Sequence, residues 1–511
     1  ELNPLFSGPI IIPFEFSTTQ TYIMEFSDQK IRFYRNNGQI LSGGSPFEIT
    51  SPYLEAELFD IKFAQSADIM YITHPSHKTR TLSRTGHTSW SLTEVNFING
   101  PFLDSNITTT TLTPSAAGTG SRTITASAVT GINGGSGFLT TDVGRQIHFN
   151  DGYGTITART NTTVVTVNVT TAFANTNAIT NWFLGAFSDT TGHPACVTFF
   201  EQRLVFAATL NNPQTIYFSK SGDYENMDAN LGGTVADDDA IIYTIASNQV
   251  NAIRFLASTR TLVIGTAGGE FAVSGGGDND AITPTNILIK KQSNHGAANI
   301  DAISVGNATL FLQRARRKIR ELAFNFDVDG YTAPDLTILA EHITEGNISE
   351  MAYQEEPLAI VWCVRGDGEL IALTYQREQQ VVAWHRHVFG GAFGNGKAVC
   401  ESVAVIPTED SEYELYMIIK RTINGATKRY VEYLNRFDFD ETDNTSFNFL
   451  DSQLSYSGSS ATTISGLSHL EGQTVSILAN GATHPTKVVS SGSITLDRPA
   501  TKVKIGLGYT S

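Results

Sequence analysis

The chain has 511 residues and a formal net charge of −16, with 41% of residues hydrophobic, 10% aromatic and only 16% charged. This length is too great for one ordinary core, and the apolar content excludes global disorder, so roughly two to four folding units are expected. The acidic balance excludes a general nucleic-acid binder, whose affinity comes from neutralising phosphates, unless charge is segregated; it suits a conduit that DNA slides through without sticking.

In chain order, seven segments repeat one layout: a short alternating strand, a turn, and a second apolar strand. They are Phe14-Glu15-Phe16 with Tyr22-Ile23-Met24, Ile61-Lys62-Phe63 with Ile69-Met70-Tyr71, and Val197-Thr198-Phe199 with Leu204-Val205-Phe206. Next come Ile253-Arg254-Phe255 with Leu262-Val263-Ile264 and Ile303-Ser304-Val305 with Leu310-Phe311-Leu312. The last two are Met351-Ala352-Tyr353 with Ala359-Ile360-Val361-Trp362, and Val403-Ala404-Val405 with Leu415-Tyr416-Met417.

Their first apolar residues are spaced by 47, 136, 56, 50, 48 and 52 residues. A period of roughly 40–50 residues with several strands in each repeat is the signature of β-propeller blades. Third strands are visible in Thr215-Ile216-Tyr217-Phe218 and Glu270-Phe271-Ala272-Val273, and helical periodicity is scarce. The long interval contains a Thr/Asn/Gly-rich block at 106–185. Its alternating Gln146-Ile147-His148-Phe149 and Val164-Val165-Thr166-Val167-Asn168-Val169 predict an inserted β domain.

After about Ser455, Leu470-Glu471-Gly472-Gln473-Thr474-Val475 echoes Asp142-Val143-Gly144-Arg145-Gln146-Ile147. The expected fold is therefore all-β: a propeller-like core of about seven blades with small inserted and C-terminal β-barrel-like domains. Its parts are a core at 1–105 and 187–440, an inserted domain at 106–186, and a C-terminal domain at 441–511, which the acidic run at 438–443 precedes.

Motifs for chemistry are few. HExxH, GxSxG and GxxxxGK[ST] are absent, so no enzyme is expected, with no catalytic residue, cofactor or metal. His74 with His77, and His385 with His387, bring imidazoles close but lack an obvious third ligand, which favours ordinary polar contacts. Asp237-Asp238-Asp239 and Asp327-Val328-Asp329-Gly330 read as solvated turns; the second begins like a calcium loop but lacks the distal Glu. Gly275-Gly276-Gly277 opens no helix, against a phosphate cradle. Cys196, Cys363 and Cys400 form no CxxC pair and read as small core residues. No apolar run approaches the ~18 residues of a membrane span. Glu1-Leu2-Asn3 lacks a Met and a signal pattern, so the piece is expected to begin inside a longer product.

One basic run is the candidate site. Read as a strand, Arg314, Arg316, Lys318 and Arg320 face one way, and four like charges need partners. A subunit interface and a positive ring lining a DNA channel are both open readings; the lack of interleaved aromatics argues against single-strand stacking.

The wording of the chain also resembles a family. Ile12-Pro13-Phe14-Glu15-Phe16-Ser17-Thr18-Thr19-Gln20-Thr21-Tyr22-Ile23, followed by Ile31-Arg32-Phe33-Tyr34-Arg35, resembles the opening of podophage and prophage virion proteins. Pro213-Gln214-Thr215-Ile216-Tyr217, residues 245–253, Gly265-Thr266-Ala267-Gly268-Gly269-Glu270-Phe271, Ala340-Glu341-His342-Ile343-Thr344 and Trp384-His385-Arg386-His387 continue it. The closing residues 506–511 are similar to a family segment that normally runs on, so the C-terminus is expected to be clipped.

The resemblance implies a tail nozzle, or tail tubular protein B-like, virion protein of a short-tailed bacteriophage, made in the host bacterial cytoplasm. It implies a cyclic homo-oligomer, expected as a hexamer, that joins the tail adaptor ring and fibre or spike proteins. Viral double-stranded DNA would pass through it during genome ejection without sequence-specific contact. The alternative reading is a propeller that binds or cleaves host glycans; cleavage would need two carboxylates roughly 5–10 Å apart in a cleft.

Overall fold

A computed structural model describes residues 8–17, 20–231, 233–246, 252–277, 280–409, 412–435, 445 and 447–509. The acidic run at 438–443, residues 247–251 of the family-like phrase, Thr18-Thr19 and both chain ends lie outside the described residues. Strand accounts for 56% of the described residues and helix for 4%, so the fold is all-β.

The seven sequence-predicted strand pairs are the first hairpins of seven antiparallel sheets. Facing residues include Phe14 with Tyr22, Ala64 with Tyr71, Val197 with Phe206, Leu256 with Ile264, Ile303 with Leu310, Ala352 with Trp362, and Val403 with Met417. Sheets 2 to 6 (residues 62–94, 196–244, 253–293, 303–332 and 348–387) are each four consecutive strands in a meander. Sheet 1 (10–50) adds a fifth strand, and sheet 7 (399–433) has three. β-branched and aromatic residues dominate these strands because their bulk packs well on a pleated, buried surface.

Two compact units divide the chain: Glu1–Phe59 with Ala315–Lys318 and Leu336–Ser511, and Asp60–Arg314 with Ile319–Asp335. In the second unit the first strands of sheets 2, 3, 4 and 5 pack side by side in order. Ile216, Phe218, Ile253, Leu262 and Ile264 form the core between sheets 3 and 4. In the first unit sheet 6 packs on sheet 7, and sheet 7 on sheet 1. Ile11 and Ile23 of sheet 1 bury against Ala404, Ile406, Tyr416 and Ile418 of sheet 7. Ile11 N–H donates to Ser402 Oγ at 2.9 Å across 391 residues of sequence. First strands packed in succession, with the first sheet against the last, are a propeller-like arrangement.

The insertion is a six-stranded sheet running from Leu112–Pro114 through Gly120–Ala126, Val164–Thr171, Gly152–Asn161 and Gln146–Phe149 to Trp182–Leu184. Leu112 exchanges both backbone hydrogen bonds with Ile179, at 2.9 and 3.0 Å, so the sheet curls back on itself as a small barrel does. Its core is its own, with Ile124, Phe138, Ile147, Phe149, Val167 and Trp182 buried together. Its two ends meet: Leu103 N–H bonds Leu184 O at 2.9 Å, and Ala186 N–H bonds Pro101 O at 2.8 Å.

The C-terminal sheet orders Asp451–Ser465, Ser493–Leu507, Thr474–Ala479 and Ala482–Val488 over a separate core including Ile464, Leu470, Val475 and Ile505. The echo between the two small domains has a physical form. In each, a 3-10 turn (Thr140–Asp142, Ser468–Leu470) leads through a glycine at φ 93° (Gly144) or 76° (Gly472) into a strand. Gly144 N–H bonds Ile156 O while Ile156 N–H bonds Arg145 O; Gly472 N–H bonds Val489 O while Val489 N–H bonds Gln473 O. The left-handed φ at that step is why both segments carry glycine there.

Candidate functional site

In a four-stranded meander, the turns joining strands one to two and three to four share one edge, and the other connections lie at the opposite edge. Neighbouring sheets of the second unit keep this sense: Glu201, in a first turn, accepts Ile282 N–H from the next sheet's last turn at 2.8 Å. Thr261 and Tyr331 are likewise joined at 2.8 Å between sheets 4 and 5. On this edge the turns expose Glu201, Asp223, Asp237, Asp238, Asp280, Asp327 and Asp329, against one exposed base among the described residues, Arg260. In the first unit the matching turns expose Glu355, Glu356, Glu378 and Glu409, against Arg377. In each unit, taken by itself, these turns form a strongly negative edge.

The basic run does not form a strand. Residues 314–318 make the loop between the second and third strands of sheet 5, Ala308–Leu312 and Ile319–Asn325, so the four cations share no strand face. The physical reason is the left-handed backbone of Arg316, at φ 59°, which breaks the alternation. Gln313 bridges to Ala297, and Arg314 N–H bonds Gly296 O at 2.9 Å, which places the loop's start at the edge opposite the acidic turns. Arg320 lies in the strand and is tied by Nε to Gln313 Oε1 at 2.8 Å and by Nη1 to Ala333 O at 2.6 Å. Lys318 pairs with Glu341 at 3.0 Å. Arg314 and Arg317 are exposed.

The other sequence candidates resolve locally. His385 Nδ1 and His387 Nε2 are 2.8 Å apart on the outer strand of sheet 6, with His387 packed on the Trp362 ring. Burial, and secondly the neighbouring His385, push the pKa of His387 down to about 4. His74 is buried, and its Nδ1 accepts Ser76 N–H at 3.1 Å. Among the described residues no three His, Cys, Asp or Glu side chains converge on a metal-sized site. All three cysteines are free and buried. Asp237 is a solvated turn residue and Asp238 is exposed but reaches Lys220 at 3.4 Å, whereas Asp239 is buried, accepts Ala236 N–H at 2.7 Å and pairs with the same Lys220 at 2.8 Å. Among the described residues, no helix is long and apolar enough to cross a membrane.

Buried ions that sequence reading missed carry the architecture. Arg203 donates to the backbone carbonyls of Ser219, Asp237 and Asp239, each at 2.7 Å, and so fixes the acidic turn. Arg145 pairs with Asp142 at 2.9 Å, and Thr190 donates to the same carboxylate at 2.8 Å; this lines an open cleft of about 420 Å³ where the inserted domain leaves the chain. Arg421 is fully buried, pairs with Glu432 of sheet 7, and donates by Nε to Gly390 O at 2.8 Å. Ser452 Oγ, from the C-terminal sheet, donates to the same Glu432 at 2.6 Å. Glu350 of sheet 6 accepts Ser402 Oγ at 3.1 Å and Val403 N–H at 2.9 Å from sheet 7, and burial pushes its pKa up to about 8. No periodicity announces such contacts: Arg203 reaches carbonyls 34 and 36 residues on and Glu350 groups 52 and 53 residues on, while Arg145 and Asp142 are only three apart but follow no strand alternation.

No family model matches the chain, and no curated protein matches it. Solved structures similar to it include the β-propeller domain of Myceliophteria thermophila Cps50 (Swd1), at 8% identity and a TM-score of 0.35, covering 81% of this chain and 93% of that one. The Neurospora crassa Pan2 WD40 domain is similar at 9% identity and a TM-score of 0.32, covering 75% and 90%. The propeller-like assignment itself rests on the strand order and packing described above.

Proposed function

We propose that this chain is a non-enzymatic structural protein of a short-tailed bacteriophage tail, forming a nozzle ring through which the genome leaves the virion. The observation that carries the reading is the series of family-like phrases, which runs from Ile12 almost to the end of the chain. Several fall on sheet strands, as in Ile10–Ser17, Gly269–Ser274 and Val381–His387, where they specify packing rather than a catalytic loop. The negative turn edges support the reading, because a duplex moving past them forms few phosphate contacts whose release would slow it. A propeller-like subunit assembles into a ring through a head-to-tail interface that closes on rotation. Electron microscopy of the purified chain tests this: closed rings with an axial opening wide enough for duplex DNA are expected. Monomers at all protein concentrations, or turnover of a host polysaccharide, would overturn it.

A further inference from the structure

Within the second unit, Arg314 and the acidic turns stand in electrostatic opposition. The turns of sheets 3 and 4 expose Glu201, Asp223, Asp237, Asp238 and Asp280 on one edge. The sheet 5 loop begins at the other edge, with Arg314 held by its N–H to Gly296 O. Arg314 and Arg317 are exposed, and neither guanidinium has an ion-pair partner among the described residues. The neighbouring cations differ, since Lys318 has Glu341 and Arg320 has Gln313 and Ala333. Lying at opposite edges of the sheets, Arg314 and the acidic turns cannot neutralise each other within one copy.

We propose that the loop at 313–318 docks on the acidic turns around Asp237 and Asp238 of a second copy of this chain. The occupant follows from charge complementarity: the chain carries a net −16, so another copy presents the counter-charge at high local density. The acidic turn is also prepared for contact. Arg203 holds its backbone through the carbonyls of Asp237 and Asp239, so little ordering is left to cost affinity on docking. A polyanion is the poorer fit, because two unpaired arginines make too few phosphate contacts to overcome the repulsion of the rest of the chain. Such a contact joins unlike surfaces, the head-to-tail kind that closes rings. The inference rests on the ring reading above and assigns its interface.

The test is a charge swap in the full chain, read by sedimentation velocity at low and high salt, with thermal melts as the folding control. Arg314→Glu with Arg317→Glu, and separately Asp237→Lys with Asp238→Lys, should each weaken self-association roughly tenfold or more at low salt. An equimolar mixture of the two variants should restore it, since each loop then meets an opposite charge. If the Glu variant fails to fold, Arg314→Gln with Arg317→Gln takes its place, with the same weakening expected. Wild-type assembly that survives loop reversal, or a mixture that does not recover, overturns the interface while leaving the ring reading intact. A chain that is monomeric at every salt concentration overturns both. Loss of duplex DNA binding in the Glu variant, with assembly unchanged, assigns the loop to a polyanion and overturns the proposal.

Discussion

Replacing Glu350 with Gln tests whether a neutral carboxyl joins the inner strands of the first unit. Glu350 reaches from sheet 6 to Ser402 and Val403 of sheet 7, and Ser402 Oγ accepts Ile11 N–H of sheet 1. A bulge between Cys400 and Ser402 interrupts the ladder there, leaving Val403 N–H for the carboxyl to satisfy. Burial raises the pKa from 4.5 to about 8, against the two hydrogen bonds that would lower it. That rise corresponds to about 5 kcal/mol in favour of the protonated form. The residue keeps partial solvent access, so the realised effect should be nearer ~2 kcal/mol.

The sign follows from linkage. Below pH 4.5 both folded and unfolded chains carry the proton, and stability is unaffected. Between 4.5 and about 8 the unfolded chain releases the proton that the folded chain keeps, so stability falls as pH rises. Denaturant unfolding of wild type and Glu350→Gln at pH 4.5, 6, 7.5 and 9 isolates this group by difference. The Gln variant should match wild type at the lowest pH and exceed it by ~2 kcal/mol at the highest. A variant less stable than wild type at pH 9 would show that an ionised carboxylate is what sheet 7 requires, and would refute the reasoning.

Replacing residues 106–184 by a short Gly-Ser linker should leave the remainder folding cooperatively, because the ends meet at Leu103 and Leu184 and the excised core is separate; a non-cooperative melt would contradict the insertion. Arg421→Ala should cost about 3 kcal/mol in chemical denaturation, since it empties a fully buried site and leaves the half-buried Glu432 beside Ser452 without its counter-charge; a loss under about 1 kcal/mol would mean that water or a neighbour replaces it. In an NMR titration the His387 ring should stay neutral from pH 8 to 5.5 and take up its proton near 4, because burial and His385 both oppose the charge; a midpoint near 6.5 would place the ring in solvent.

Residue pattern alone carried the architecture a long way. Alternation with a recurring period located the first hairpin of all seven sheets, since burial on a pleated sheet needs bulky residues at every second position. The echo of Leu470–Val475 with Asp142–Ile147 was legible because one glycine conformation and one hydrogen-bond pattern underlie both.

The basic run shows where pattern fails. Alternating cations at 314–320 look like a strand face, yet the left-handed residue at Arg316 turns them into a loop, and no spacing rule reveals a positive φ at an arginine. Composition determined that the chain is acidic, β-rich and repetitive. Which acids are solvated and which are buried was decided only by tertiary structure: Asp237 stays exposed while Asp239, two residues on, is enclosed against Lys220. The same holds for Glu350, because a charged group can leave water only where packing brings it partners, and Ser402 and Val403 reach it from another sheet; Arg145 differs, since its partner Asp142 lies three residues back in the chain.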